Sequence, residues 1–377
     1  MSLYLRLLHG VVQRGIVPPA WISHKFCPSR SLDDAIENGC DRSGTPGTFK
    51  TVSPSGDIPF AFAPAWQDPN TETLDSFECG SSDVVTLKDC FIASCTDQYG
   101  LFHYAVFDHS GKYLRLDGFL YWPDHGKTFH REAKHAAEVD HLVWPLRRWP
   151  RNHCHWMLED LPSILLAMEL GMTDNLVLPG SGHQTPFNQH CISELDLPNA
   201  TSTDVVKTII RVKQLDLVRT GDYQPSALKR LRATFANSEK AAERRVYICR
   251  DQAEYRSCAN EDEVWGEVEQ RDFERVYMED LSPMQQISTM AESKVVVGVH
   301  GAGMANAALA PQDAAIVEIA DTQWESENKD IFLKLSSALS QRYIRLDGVA
   351  EDPTKPGGYR DLIVNIQELS SALDSVL

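Results

Sequence analysis

Residues 295–309, VVVGVHGAGMANAAL, pass from β-branched residues to small helix formers, with His300, Gly301, Ala302 and Gly303 at the change. The pattern predicts a buried strand turning directly into a helix. The first turn of a helix leaves backbone N–H groups unpaired, and these, with the helix dipole, attract anions. Glycines at 301 and 303 remove the Cβ atoms that would hold a phosphate off the backbone. His300 could donate to a phosphate oxygen or to a bound sugar. A second reading fits the same residues: the glycines serve only tight helix–strand packing, and the histidine is a satisfied core residue. Gly298, Gly301 and Gly303 do not complete the dinucleotide fingerprint, so a nicotinamide- or flavin-dependent oxidoreductase is disfavoured.

Other chemistry-bearing residues fall at strand ends. Glu318 is expected to close the strand AAIVEI, where a carboxylate could bind ribose hydroxyls or stand as an exposed charge. Arg250 closes RVYICR and could offset a diphosphate with paired N–H donors. Arg256 and Asn260 follow at a loop-to-helix junction. A separate pair, His155 and Glu159, has i, i+4 spacing. On a helix the two lie side by side, as a general-base pair or as a solvated ion pair. His153-Cys154-His155 lacks further ligands at metal-binding spacing. No GxSxG elbow or GxxxxGK[ST] loop occurs, which argues against a serine hydrolase or a P-loop ATPase.

The elements that must position these groups follow from periodicity. Residues 83–121 carry short β-rich runs broken by turn signals at 97–100 and 109–112, an antiparallel meander. Asn152 should cap a helix whose apolar stripe is Met157, Leu158, Leu161, Ile164, Leu165 and Met168, with Pro162 as a kink. From 244 onward, strands and helices alternate, the pattern of a parallel sheet with helices on both faces. Capping boxes are expected at Asn260/Glu263 and Ser282/Gln285, the second with Pro283 at the first helical position.

At 377 residues the chain has room for about two or three domains. Its formal charge of −17 argues against nucleic-acid binding, so the attraction for any anionic substrate must be local. Nine scattered cysteines without a CxxC pair suit a reduced, cytoplasmic protein. Residues 3–12 form a short apolar run interrupted by Arg6, read as a docked or surface-lying helix and not a signal peptide.

Three segments together resemble glycosyltransferase family 61, the group of protein O-linked N-acetylglucosaminyltransferases, plant β-1,2-xylosyltransferases and bacterial capsular-polysaccharide proteins. Asn152, His155, Trp156, Leu161 and Pro162 match N-x-x-H-W-x-x-x-x-L-P, with Glu159 where the family usually has Asp. Tyr247, Ile248, Arg250, Arg256, Asn260 and Glu261 match Y-I-x-R … R … N-E. Gly298, His300, Gly301, Ala302, Gly303, Met304 and Asn306 match G-x-H-G-A-G-hydrophobic-x-N, with Glu318 as the acidic residue that follows. Cys249, Ser163 and Ala305 depart from the pattern, at positions that bear on the acceptor.

The resemblance spans roughly 83–320. It implies an α/β, GT-B-like fold: two Rossmann-like domains facing across a cleft. The expected organisation is an irregular segment at 1–82, an acceptor-side domain at 83–225, a nucleotide-sugar-binding domain at 226–360 and a C-terminal helix at 361–377. It also implies inverting, metal-independent transfer, with no cofactor, from a uridine diphosphate (UDP) sugar to a glycan or lipid-linked glycan. The expected setting is capsular polysaccharide synthesis at the inner membrane face. Glu159 and His155 would be catalytic, and Asn152 and Trp156 would lie on the acceptor side. Arg250, Arg256, Asn260, His300, Gly301, Ala302, Gly303, Asn306 and Glu318 would bind the donor. The alternative is a non-catalytic nucleotide- or carbohydrate-binding member of a polysaccharide assembly complex.

Overall fold

Turn signals only a few residues long force neighbouring strands to run antiparallel, because a parallel return needs a crossover of a dozen residues or more. The first half of the chain obeys this in the computed structural model, which describes residues 29–31, 47–61, 76–96, 102–116, 119, 121–147, 150–236, 240–321, 323–324 and 327–377. The apolar run at 3–12, Cys27, Cys40 and the turn at 97–100 lie outside the described residues. The strands of this half are β1 (Ser29–Ser31), β2 (Gly47–Ser53), β3 (Gly56–Pro59), β4 (Ser76–Cys79), β5 (Ser82–Thr96), β6 (Phe102–Phe107), β7 (Tyr113–Arg115), β8 (Ala137–Trp144), β9 (Val177–Leu178), β10 (Thr201–Ser202) and β11 (Ile209–Arg219).

The order β1-β7-β6-β5-β11-β8, with β2 also on β5, makes one mixed sheet. β5, β6 and β7 are the expected antiparallel meander, and β11 is antiparallel to β5. Only β8–β11 and β1–β7 pair in parallel there. This corrects the expectation of two Rossmann-like units: the first sheet is mixed.

The second half matches the alternating pattern. Its strands are β12 (Arg244–Ile248), β13 (Glu274–Val276), β14 (Ser293–Val299), β15 (Ala315–Ala320), β16 (Arg342–Ala350) and β17 (Leu362–Val364). They lie in the order β13-β12-β14-β15-β16-β17. All neighbours are parallel except β17, which is antiparallel to β16. Numbered within this sheet, the first five run 2-1-3-4-5, and the chain reverses direction between β12 and β14. In such sheets ligands bind beyond the carboxyl ends at that switch point.

Strands covered on both faces read as near-continuous apolar runs, as β14 and β15 do. Tyr247, Val295, Val297, Val317 and Ile344 share a core with Val264, Val268, Leu369 and Leu373, from the helices Glu261–Glu269 and Ile366–Val376. Val246, Ile248, Val296, Ile316 and Tyr343 share another with Met157, Leu161, Ile164 and Leu217. That second core is continuous between the two sheets and includes Met304, Ala305, Ala307 and Ala308 of the turn after β14.

The segment from 153 to 169 starts as expected: Asn152 Oδ1 accepts the N–H groups of Cys154 (3.0 Å) and His155 (3.4 Å). It is α-helical over His153–His155, π-helical over Trp156–Asp160 and α-helical again over Leu161–Glu169. Pro162 brings no N–H, and in an α-helix its ring would clash with the carbonyl four residues back. The wider turn, in which the Leu161 N–H bonds to Trp156 O, accommodates it. The Ser282/Gln285 capping box forms, with Pro283 at the helix start. The Asn260/Glu263 box does not: the Asn260 amide is bonded in both directions to the Val364 main chain, at 3.0 and 2.9 Å. Among the described residues no helix is long and apolar enough to cross a membrane.

Candidate functional site

Strand alternation puts Arg250 beyond the end of β12 and His300 directly after β14, on either side of the switch point. Arg250 Nε donates to Arg256 O (3.1 Å), and Nη2 donates to Tyr255 O (3.2 Å). Among the described residues no carboxylate lies within ion-pair distance of it. Burial, with the positive charge of Arg256 nearby, holds its pKa below the usual arginine value. Arg256 has a left-handed backbone (φ 60°), and its Nε is buried without a partner. Two guanidiniums thus stand together, with the opposing charge of Glu279 felt by Arg250 from beyond ion-pair distance.

Gly301 explains its own identity here. A Cβ at this position would lie 2.6 Å from Arg250 Nη1, so a larger residue would displace the guanidinium from its place against the turn. Gly298 is similar, with Met304 Sδ 2.7 Å from where its Cβ would be. Residues Ala302–Leu309 form the expected helix, as a 3₁₀-helix. His300, Gly301, Ala302 and Gly303 still deliver the chain from a strand end to a helix start beside Arg250.

Glu318 corrects the sequence expectation. It does not close its strand, since β15 continues to Ala320, and it is fully buried. One carboxylate oxygen faces His300 Nδ1 at 2.5 Å, and the other accepts from the Tyr343 hydroxyl. Arg345 Nε donates to that hydroxyl (3.2 Å), and its Nη2 pairs with Asp330 (2.9 Å). Both Glu318 oxygens are therefore engaged within the protein, and neither is presented to a ribose. The carboxylate fixes the His300 proton on Nδ1. Nε2 has no protein hydrogen-bond partner among the described residues. The ring meets Trp324 edge-on at 5.5 Å.

His155 and Glu159 come together as their spacing implies, with Nδ1 2.7 Å from Oε1. The second Glu159 oxygen faces Arg147 Nη1 at 3.9 Å. Ser163 Oγ donates to the Glu159 carbonyl (2.8 Å), which pins the π-turn. A carboxylate accepting from Nδ1 leaves the basic lone pair on Nε2 of the imidazole. Next to this pair, Asp160 is fully buried and accepts the Arg147 N–H at 2.6 Å. Burial pushes its carboxyl up to about 7, against the pull of that N–H.

Three residues expected at the substrate are engaged elsewhere. Trp156 is 1% exposed and belongs to the core, so its ring cannot stack on an acceptor. Asn306 is fully buried, and its Oδ1 takes a hydrogen bond from His153 Nε2 at 2.8 Å. This bond, invisible to local spacing, joins the His155 segment to the turn after β14. Asn260 is held by Val364, as described above.

Sequence reasoning also missed the partners of Glu261. It accepts from Tyr247 Oη (2.7 Å), Cys249 Sγ (3.1 Å) and Arg275 Nη2 (3.0 Å). Cys249, Asp251 and Glu261 place one potential metal-ligand atom each within 4.8 Å of one another. The Arg275 guanidinium sits among them, also reaching Asp251 at 2.8 Å, and supplies the positive charge itself. The pairing of Arg275 with Tyr247 across β13 and β12 is the signal that could have revealed this.

No curated protein matches the sequence. Residues 153–317, which hold the His155–Glu159 pair, Arg250 and the turn after β14, match the family model Glycosyltransferase 61.

Proposed function

We propose that the protein is an inverting glycosyltransferase that uses a UDP-sugar and requires no metal. The family match supports sugar transfer in general. The observation that carries the finer reading is Arg250, a guanidinium without a carboxylate partner among the described residues, closed on Gly301 at the switch point. Such a group is costly to hold without an anion. The diphosphate would lie against Arg250, Arg256 and the N–H groups of Gly301, Ala302 and Gly303. These donors stabilise the leaving group in place of a metal.

In the transfer, an acceptor hydroxyl oxygen forms its bond to the anomeric carbon as the bond from that carbon to the diphosphate oxygen breaks. The electron pair leaves with the diphosphate. The hydroxyl proton passes to His155 Nε2, and Glu159 stabilises the resulting imidazolium. The acceptor is a glycan or lipid-linked glycan of a surface polysaccharide, met at the cytoplasmic face of the membrane.

Calorimetry with UDP tests the donor site. Wild-type protein should bind it, and Arg250→Ala should weaken binding by about 10- to 150-fold, the worth of hydrogen bonds to a charged group. Unchanged affinity removes Arg250 from the site, and no binding by wild-type protein overturns the donor assignment.

A further inference from the structure

Beside the two arginines lies a pair of aromatic rings that the transfer chemistry does not use. Tyr255 and Tyr359 have ring centroids 5.1 Å apart, tilted by 56°. Arg256 stands over the Tyr255 ring at 5.3 Å, so that ring is already engaged. Tyr359 is 57% exposed. The Tyr255 carbonyl accepts from Arg250, which puts the ring pair one residue from the anion-binding guanidinium.

The two tyrosines come from loops far apart in sequence, and those loops are stitched together. Asp361 Oδ1 accepts both the Ser257 N–H (3.0 Å) and the Ser257 hydroxyl (2.9 Å). Leu362 N donates to Ser257 O, and Ala259 N donates to Leu362 O. Arg360 ties the second loop to itself through Lys355 O (2.8 Å) and to Asp321 (3.3 Å). An exposed ring on a floppy loop would lose entropy on binding; a ring fixed by this many bonds loses little.

We infer that Tyr359, backed by Tyr255, is a stacking platform for the planar base of a nucleoside diphosphate whose phosphates lie on Arg250 and Arg256. The inference rests on the donor reading above and adds the base subsite. A planar aromatic group at one end of an anion is the ligand that suits an open ring face beside two guanidiniums that have no carboxylate at ion-pair distance among the described residues.

The test compares UDP with inorganic diphosphate on wild-type, Tyr359→Ala and Tyr359→Phe proteins by calorimetry. Stacking of one base is worth about 1–3 kcal/mol. Tyr359→Ala should therefore weaken UDP by about 5- to 150-fold and leave inorganic diphosphate unchanged. Tyr359→Phe, which keeps the ring face, should retain UDP binding. Equal UDP affinity in Tyr359→Ala and wild-type, or an equal loss for UDP and diphosphate, overturns the platform while the phosphate cradle stands. Binding of neither compound by wild-type protein overturns the donor reading itself, and the platform with it.

Discussion

His155 and Glu159 divide between them what a base must do. The carboxylate holds the ring through Nδ1, and Nε2 keeps the lone pair. A positioned base is typically worth about 10²–10⁴ in rate. His155→Ala and Glu159→Gln should each lower turnover within that range while UDP affinity stays within about twofold of wild type. Steady-state kinetics beside calorimetry separates the two effects, and near-wild-type turnover in both variants removes the pair from catalysis. At this scale the spacing of His155 and Glu159 was readable because both partners lie one turn apart on one element. Glu318 was not: its partner Tyr343 is 25 residues away on the neighbouring strand, and strand register, not local pattern, joins them.

The capped segment from His153 onward is the element that aims the base. Asn152 satisfies two N–H groups at its start. Asn152→Ala should cost about 1 kcal/mol, the usual worth of such a cap, seen as a lower melting temperature in thermal unfolding. An unchanged melting temperature would mean that the Pro162-induced π-turn and core packing alone hold the segment. The cap was legible because its donors are two and three residues away, as were the meander and the Ser282 box. The failure of Asn260 as a cap has the opposite cause. Its amide pairs with Val364, 104 residues later, and a long-range main-chain partner outbids a local one. The mixed first sheet was half legible: the meander shows in its turns, but the insertion of β11 between β5 and β8 is a choice of partner that no single strand announces.

For the molecule as a whole, two buried groups set opposing pH dependences. Asp160 in the folded chain retains a proton that the unfolded chain releases from about 3.8 upward, its folded pKa being about 7. The folded state therefore binds more protons in that window, and stability falls as pH rises through it, by up to about 4 kcal/mol. His125 works the other way. It is buried neutral, accepting from Trp122 N–H and facing His103 O, each at 2.9 Å, and burial pushes its pKa down to about 4. The unfolded chain binds the extra proton between about 4 and 6.5, so this contribution falls as pH is lowered through that range. Urea unfolding at pH 5 and pH 7.5 distinguishes them. Asp160→Asn should be stabilised relative to wild type at pH 7.5 more than at pH 5; an equal difference at the two values refutes the buried-acid assignment. The overall charge of −17 gave no hint of either group, since both effects come from burial.

The His153–Asn306 hydrogen bond has a thermodynamic consequence. It fastens the segment that carries the base to the turn that would grip the leaving group, so neither can shift by the reach of one bond without dragging the other or severing the tie. Occupancy on one side then biases the geometry on the other, and reciprocity obliges the second occupant to alter the first one's grip by the same factor. Ordered, interdependent loading of the two substrates would arise from a single imidazole–amide link.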